Sequence, residues 1–197
     1  MEMQDQKGFS LVELLISVTV LMLALSGLAT LLIQNARINK SQRMTAQVQA
    51  DARNTLSMVV QKLRSAGWDP TNAGIATVNL DPDTSDLVSE IEVFADLNED
   101  GDTDDADEQI LIRHLGPTRQ VVWRPTSDNT DPFIILSGDI SNDADGDGTI
   151  EPMFVPDATP PTRITVQITA QSPAPDPTSG QFIRYTVSSD VVLRKAL

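Results

Sequence analysis

Residues 9–33 read FSLVELLISVTVLMLALSGLATLLI, 25 residues with one charge, Glu13, and no proline. As a helix rising ~1.5 Å per residue, the run is ~37 Å long, enough to cross a ~30 Å hydrocarbon layer with some tilt. A chain of 197 residues has no core large enough to surround such a segment. The run therefore predicts one membrane-spanning helix. The remaining length suffices for a stalk and one modest head.

The order of residues ahead of the run is informative. Residues 1–8 (MEMQDQKG) are short and polar, and the small residue Gly8 precedes the apolar segment. A secretory signal has the opposite order, with its small-residue cleavage site after the apolar part. Cleavage after Gly8 would leave the hydrophobic segment on the mature chain. Lys7-Gly8-Phe9-Ser10-Leu11-Val12-Glu13 resembles the prepilin cleavage and methylation motif of type IV pilins and type II secretion pseudopilins. The resemblance implies that a prepilin peptidase/N-methyltransferase cuts between Gly8 and Phe9 and methylates Phe9. It also implies that Glu13 pairs with the N-terminal amine of a neighbouring subunit. A carboxylate at membrane depth costs roughly 2.5–3.5 kcal/mol on insertion scales, so it needs such a partner.

Flanking charge points the other way. Glu2 and Asp5 accompany Lys7 before the run, while Arg37, Lys40 and Arg43 follow it. Counted alone, the positive residues would put the far flank in the cytoplasm. The motif resemblance implies the reverse: a single-pass inner-membrane protein with its head in the periplasm, or at the cell surface as part of a pilus.

Residues 34–66 contain neither proline nor glycine. Val48, Ala52, Leu56, Val59, Leu63 and Ala66 recur at steps of three and four, which is one helical face. Gln49, Arg53, Asn54, Gln61 and Lys62 lie opposite. One helix is predicted from about Phe9 to Ala66, stopped by Gly67 and Pro70. Asp51 to Leu56, with Leu63-Arg64-Ser65-Ala66-Gly67-Trp68, is similar to the end of the stalk in PilW-family minor pilins. The closing residues Arg184-Tyr185-Thr186-Val187 and Val191-Val192-Leu193-Arg194 resemble the last strand of that family. J-type minor pseudopilins share the layout.

After Gly67 the period changes to two. Residues 90–95, 109–115, 121–123, 133–136, 163–170 and 182–192 read as strands, and the proline-rich 172–180 (SPAPDPTSG) as a long hairpin loop. The expected class is α+β, an antiparallel sheet wrapped on the C-terminal half of the stalk helix, as in a pilin. The expected organisation is a leader at 1–8, a membrane half of the helix at 9–33, a periplasmic half at 34–67 and a β-rich acidic head at 68–197.

Two acidic stretches interrupt the strands. In residues 96–107, Asp96, Asn98, Asp100, Asp102, Asp104 and Asp107 surround Gly101 in an order like an EF-hand loop. The glycine permits a sharp turn that gathers oxygens around one hard cation. The twelfth position is Asp107 in place of a long glutamate, with Glu108 next to it. In the second stretch Asp143, Asp145, Asp147, Thr149 and Glu151 follow the same spacing, but the twelfth position is Phe154. A closing ligand there has to come from elsewhere, for instance Asp157. One or two Ca²⁺ sites are expected, against the alternative of solvated Asp-Gly turns.

Composition excludes several functions. Between Asp81 and Asp157 there are 21 acids against three arginines, so the head repels nucleic acid and attracts cations or basic surfaces. Cysteine is absent, which removes disulfides, thiolate metal sites and thiol nucleophiles. The one histidine, His114, falls in a strand, where a structural or surface place is expected. No nucleophile elbow, phosphate-binding loop or zinc-protease signature occurs. Trp68 and Trp123 are expected in the core or at the helix end. The leading expectation is a non-enzymatic minor pilin or pseudopilin of a type IV pilus or type II secretion pseudopilus. Its expected partners are other minor and major pilins or pseudopilins and the inner membrane. The alternatives are a calcium-dependent adhesive tip protein on the same anchor, and a membrane-anchored hydrolase.

Overall fold

A computed structural model describes residues 10–81, 88–105, 107–125 and 132–194. One helix, α1, runs over Leu11–Leu63, ~80 Å long at ~1.5 Å per residue. Ser10 is its N-cap in an extended conformation, and its carbonyl accepts from Glu13 N and Leu14 N. From Leu11 to Ile33 each hydroxyl returns to the helix's own backbone: Ser17 to Glu13, Thr19 to Ile16, Ser26 to Leu23 and Thr30 to Ser26. Such internal satisfaction lets polar side chains sit on a helix in lipid.

Eight strands follow: β1 Val78–Asp81, β2 Val88–Phe94, β3 Gln109–Leu115, β4 Gln120–Pro125, β5 Ile134–Ser137, β6 Phe154–Pro156, β7 Arg163–Gln171 and β8 Arg184–Val192. The first five form an antiparallel meander in sequence order, and the last three form a second antiparallel sheet. Period-two sequence explains the register: Ile91 faces Ile112 across β2–β3, and Ile164 and Ile168 face Val191 and Val187 across β7–β8. The head is therefore two sheets, not the single sheet expected. Short β1 (VNLD) and β6 (FVP) carry too little apolar alternation to stand out in the sequence.

Helix α1 packs on β7 and β8. Its buried residues Val48, Ala52, Thr55, Val59, Val60 and Leu63 begin well beyond the apolar run. All but Thr55 join Ile91, Ile112 and Val121 of the first sheet and Ile164, Val166 and Ile168 of the second in one hydrophobic core. The sheets are tied by Met153 N to Ser89 Oγ (2.9 Å) and by Ile140, whose N–H reaches Arg119 O (3.0 Å) while it bridges to Ala170.

The helix ends at Leu63, earlier than the predicted Ala66. Ser65 and Ala66 donate to carbonyls three residues back, which tightens the last turn. Gly67 then takes φ +71°, and its N–H bonds Phe94 O at 2.8 Å. Both tryptophans lie at the helix end, and Trp123 packs against the core. Trp68 is 38 % exposed beneath the Arg194 guanidinium (4.5 Å from the ring centre), and half-buried Trp123 lies under Lys62 Nζ at 4.6 Å.

Candidate functional site: the uncovered helix and two acidic loops

Gly8 and Phe9 lie outside the described residues. Glu13 sits in the first turn of α1, exposed, where the positive end of the helix dipole favours an acid. Among the described residues no cation lies within ion-pair range of it. The apolar residues from Leu11 to Ile33 cover no part of the head and are covered by none of it. Leu11, Leu23 and Met22 are 80 %, 73 % and 65 % exposed. By length and composition this helix can cross a membrane.

The first acidic loop joins β2 to β3. Its base is a continuation of their ladder, with Ala95 N bonding Glu108 O at 2.9 Å. Two buried carboxylates organise it. Asp96, fully buried, accepts from Asp100 N and Gly101 N (both 3.1 Å) and from Thr71 Oγ1 (3.2 Å). Glu108, 2 % exposed, accepts from Leu97 N (2.8 Å) and Asn98 N (3.0 Å) on Oε1. Gly101 at φ +94° makes the bend that its place in the sequence predicts.

One carboxylate oxygen each from Asp100, Asp102, Asp105 and Glu108 lies within 4.8 Å of the others. This grouping differs from the expected one. Asp100 and Asp102 are brought together, while Asp96 serves the backbone and Asp104 and exposed Asp107 stand outside the group. Asn98 donates its amide to Asp100 Oδ2 (2.9 Å) and Asp105 Oδ2 (2.6 Å). That amide, followed by Asp102 N, holds the Asp100 carboxyl below the usual carboxylate range. Asp104 is pushed up by its hydrogen bond to the Asp102 carboxylate and by that group's charge.

Sequence reasoning left Asp105 and Glu108 out of the ligand set, although strand parity carried the signal for Glu108. Residues 108, 110, 112 and 114 alternate onto the buried face of β3, so Glu108 points inward where Asp107 points out.

The second loop leads into β6. Asp143, Asp145 and Asp147 each offer an oxygen within 4.8 Å of the others. Thr149 and Glu151 are engaged otherwise: Thr149 N donates to Asp147 Oδ1 (2.6 Å), and Glu151 Oε2 accepts from the backbone N–H of Ala144 (3.1 Å). The Thr149 backbone and hydroxyl hold Asp147 below its ordinary pKa. Asp157 is no closing ligand. Thr162 and Arg163 occupy it in the turn before β7, Thr162 through its hydroxyl at 2.6 Å, and hold it down to about 2.

A cation already serves this loop. Arg184 Nη2 is 3.6 Å from Asp143 Oδ2, its Nε bonds Gln171 Oε1 at 3.1 Å, and its guanidinium lies over Gly146. Asp143 and Arg184 are 41 residues apart, so no local pattern announces the pair.

Compared with known protein families, residues 3–29 match the prokaryotic N-terminal methylation motif. The match spans Gly8, Phe9 and Glu13 and ends inside α1. No curated protein and no solved structure matches the chain.

Proposed function

We propose that this chain is a non-enzymatic structural subunit, a minor pilin or pseudopilin, that primes or enters a type IV pilus or type II secretion pseudopilus. One observation carries the reading: a methylation motif over residues 3–29 overlaps a helix whose apolar half is exposed and, among the described residues, meets no part of the head, while its other half is core of the head. An anchor alone would need only the span. A subunit of this kind needs the same bare helix twice, in lipid before assembly and among neighbouring helices after it. Cleavage between Gly8 and Phe9 frees an amine, and Glu13 of one copy compensates the amine of the next. The PilW type is taken over the J type on the sequence resemblance of residues 51–68 and 184–194. The head stands in the periplasm.

Wild type and Glu13→Val, produced in a host with prepilin peptidase, test this. Mass spectrometry of the N-terminus should find both chains beginning at a methylated Phe9, because removing the carboxylate lowers the insertion cost. Only wild type should crosslink to neighbouring subunits in the membrane. A wild-type chain that keeps residues 1–8, or a Glu13→Val chain that assembles normally, contradicts the proposal.

A further inference from the structure

We infer that Asp100, Asp102, Asp105 and Glu108 form one Ca²⁺ site, with Glu108 as its buried ligand, and that the second acidic loop is not a metal site. The inference stands apart from the pilin reading.

Exposed aspartates alone would say little, since water solvates them. Glu108 is different. It is 2 % exposed, and its Oε2 has no hydrogen-bond partner, although Oε1 has two backbone donors. A bare buried carboxylate oxygen is costly, and native structures pair such atoms. The same carboxylate stands within 4.8 Å of three more acids, a concentration of charge that asks for a cation. Asn98 shows the polarity required, because its amide hydrogens reach between Asp100 and Asp105.

The donor set selects the ion. Four carboxylates without histidine or cysteine make a hard oxygen site, not a zinc site. Loop-borne acids, three of them exposed, suit the flexible coordination of Ca²⁺ better than the strict octahedron of Mg²⁺. Glu108 supplies what the aspartates lack, a ligand fixed by two backbone bonds at the foot of the hairpin. In the second loop the Arg184 guanidinium faces Asp143 and caps Gly146, so the neutralising charge comes from the protein itself.

The test is calorimetric titration of the full chain in detergent micelles with calcium chloride, after chelator treatment. Wild type should bind one Ca²⁺ per chain, and Mg²⁺ more weakly. Glu108→Gln and Asp102→Asn should each weaken Ca²⁺ by roughly tenfold or more. Asp145→Asn with Asp147→Asn should bind as wild type does. Asp102 is exposed, so its variant decides the matter even where Glu108→Gln fails to fold. Absence of saturable binding overturns the inference. So does equal affinity for Mg²⁺, an Asp102→Asn chain that binds unchanged, or loss of binding in the second-loop variant.

Discussion

His114 is fully buried on β3, with Nε2 3.0 Å from Ile140 O. A carbonyl only accepts, so Nε2 carries the hydrogen and Nδ1 is a bare nitrogen without a partner. Burial pushes its pKa below the ordinary 6.5, and the bond to Ile140 opposes that only in part. The sign for stability follows. As pH falls through about 6.5 the unfolded chain takes up a proton that the folded chain refuses, so the unfolded state gains. Stability contributed by the neutral ring is whole above about pH 6.5 and is lost below it. Melting temperature should therefore fall more steeply between about pH 6.5 and 5 for wild type than for His114→Gln. Equal slopes would clear the histidine of responsibility. The sequence placed His114 in a strand, and the parity that turns 108, 110 and 112 inward turns 114 inward too; Leu111, also buried, is the exception to the alternation in β3. Glu108 was readable by the same parity and was obscured by the acids crowded around it. Arg184 was not readable at all, since its partner Asp143 is distant in the chain.

At the scale of elements, the long helix and six of the strands were legible because each repeats one period over many residues. The division into two sheets was not, since pairing between strands depends on contacts far apart in sequence. The turn after the helix shows how a motif acquires a physical reason. Gly67 sits at φ +71°, and a Cβ there would meet Arg194 O at 2.8 Å and Thr77 Cγ2 at 3.0 Å. Its own N–H holds Phe94 O. The glycine thus joins the end of α1, the end of β2 and the segment after β8 at one crowded point. Gly67→Ala adds the left-handed backbone penalty, ~1–2 kcal/mol, to a clash with backbone that cannot swing aside. It should destabilise the head by about 2–3 kcal/mol. Gly180→Ala is the control: φ is +73°, yet nothing lies within 4 Å of the added carbon. It should lose only about 1 kcal/mol in denaturant unfolding. Equal losses at the two positions would mean that the crowding at Gly67 is relieved by small movements and that the joint is not tight.

Across the whole molecule, one helix belongs to two environments. Residues up to Ile33 are bare, and burial against the head becomes complete only at Val48 and beyond. Between them, side chains pass gradually from exposed to half-buried, with Ser41 supporting the Asp176 carboxylate of the β7–β8 connection. Thr178 and its backbone are the larger influence on that carboxyl and hold it well below the ordinary range. If the apolar half contributes nothing to the head, a chain beginning at residue 34 must keep the same core. It should be soluble without detergent, and it should melt within about 2 °C of the full chain when both are measured in the same detergent. A loss of only ~1 kcal/mol would shift the midpoint by about 2–4 °C in a domain of this size, so the comparison is sensitive. A chain beginning at residue 57 is the opposite case. It discards Val48, Ala52 and Thr55, each at most 3 % exposed, and opens the seam between α1 and the β7–β8 pair. Losing that packing removes several buried side chains at once, where single large-to-small changes already cost ~2–5 kcal/mol. The shorter chain should show no cooperative melting. Should the chain beginning at residue 34 melt far below the full protein, the bare half would be stabilising the head through contacts that its exposure denies. The separation of one helix into an assembling half and a folding half would then be wrong.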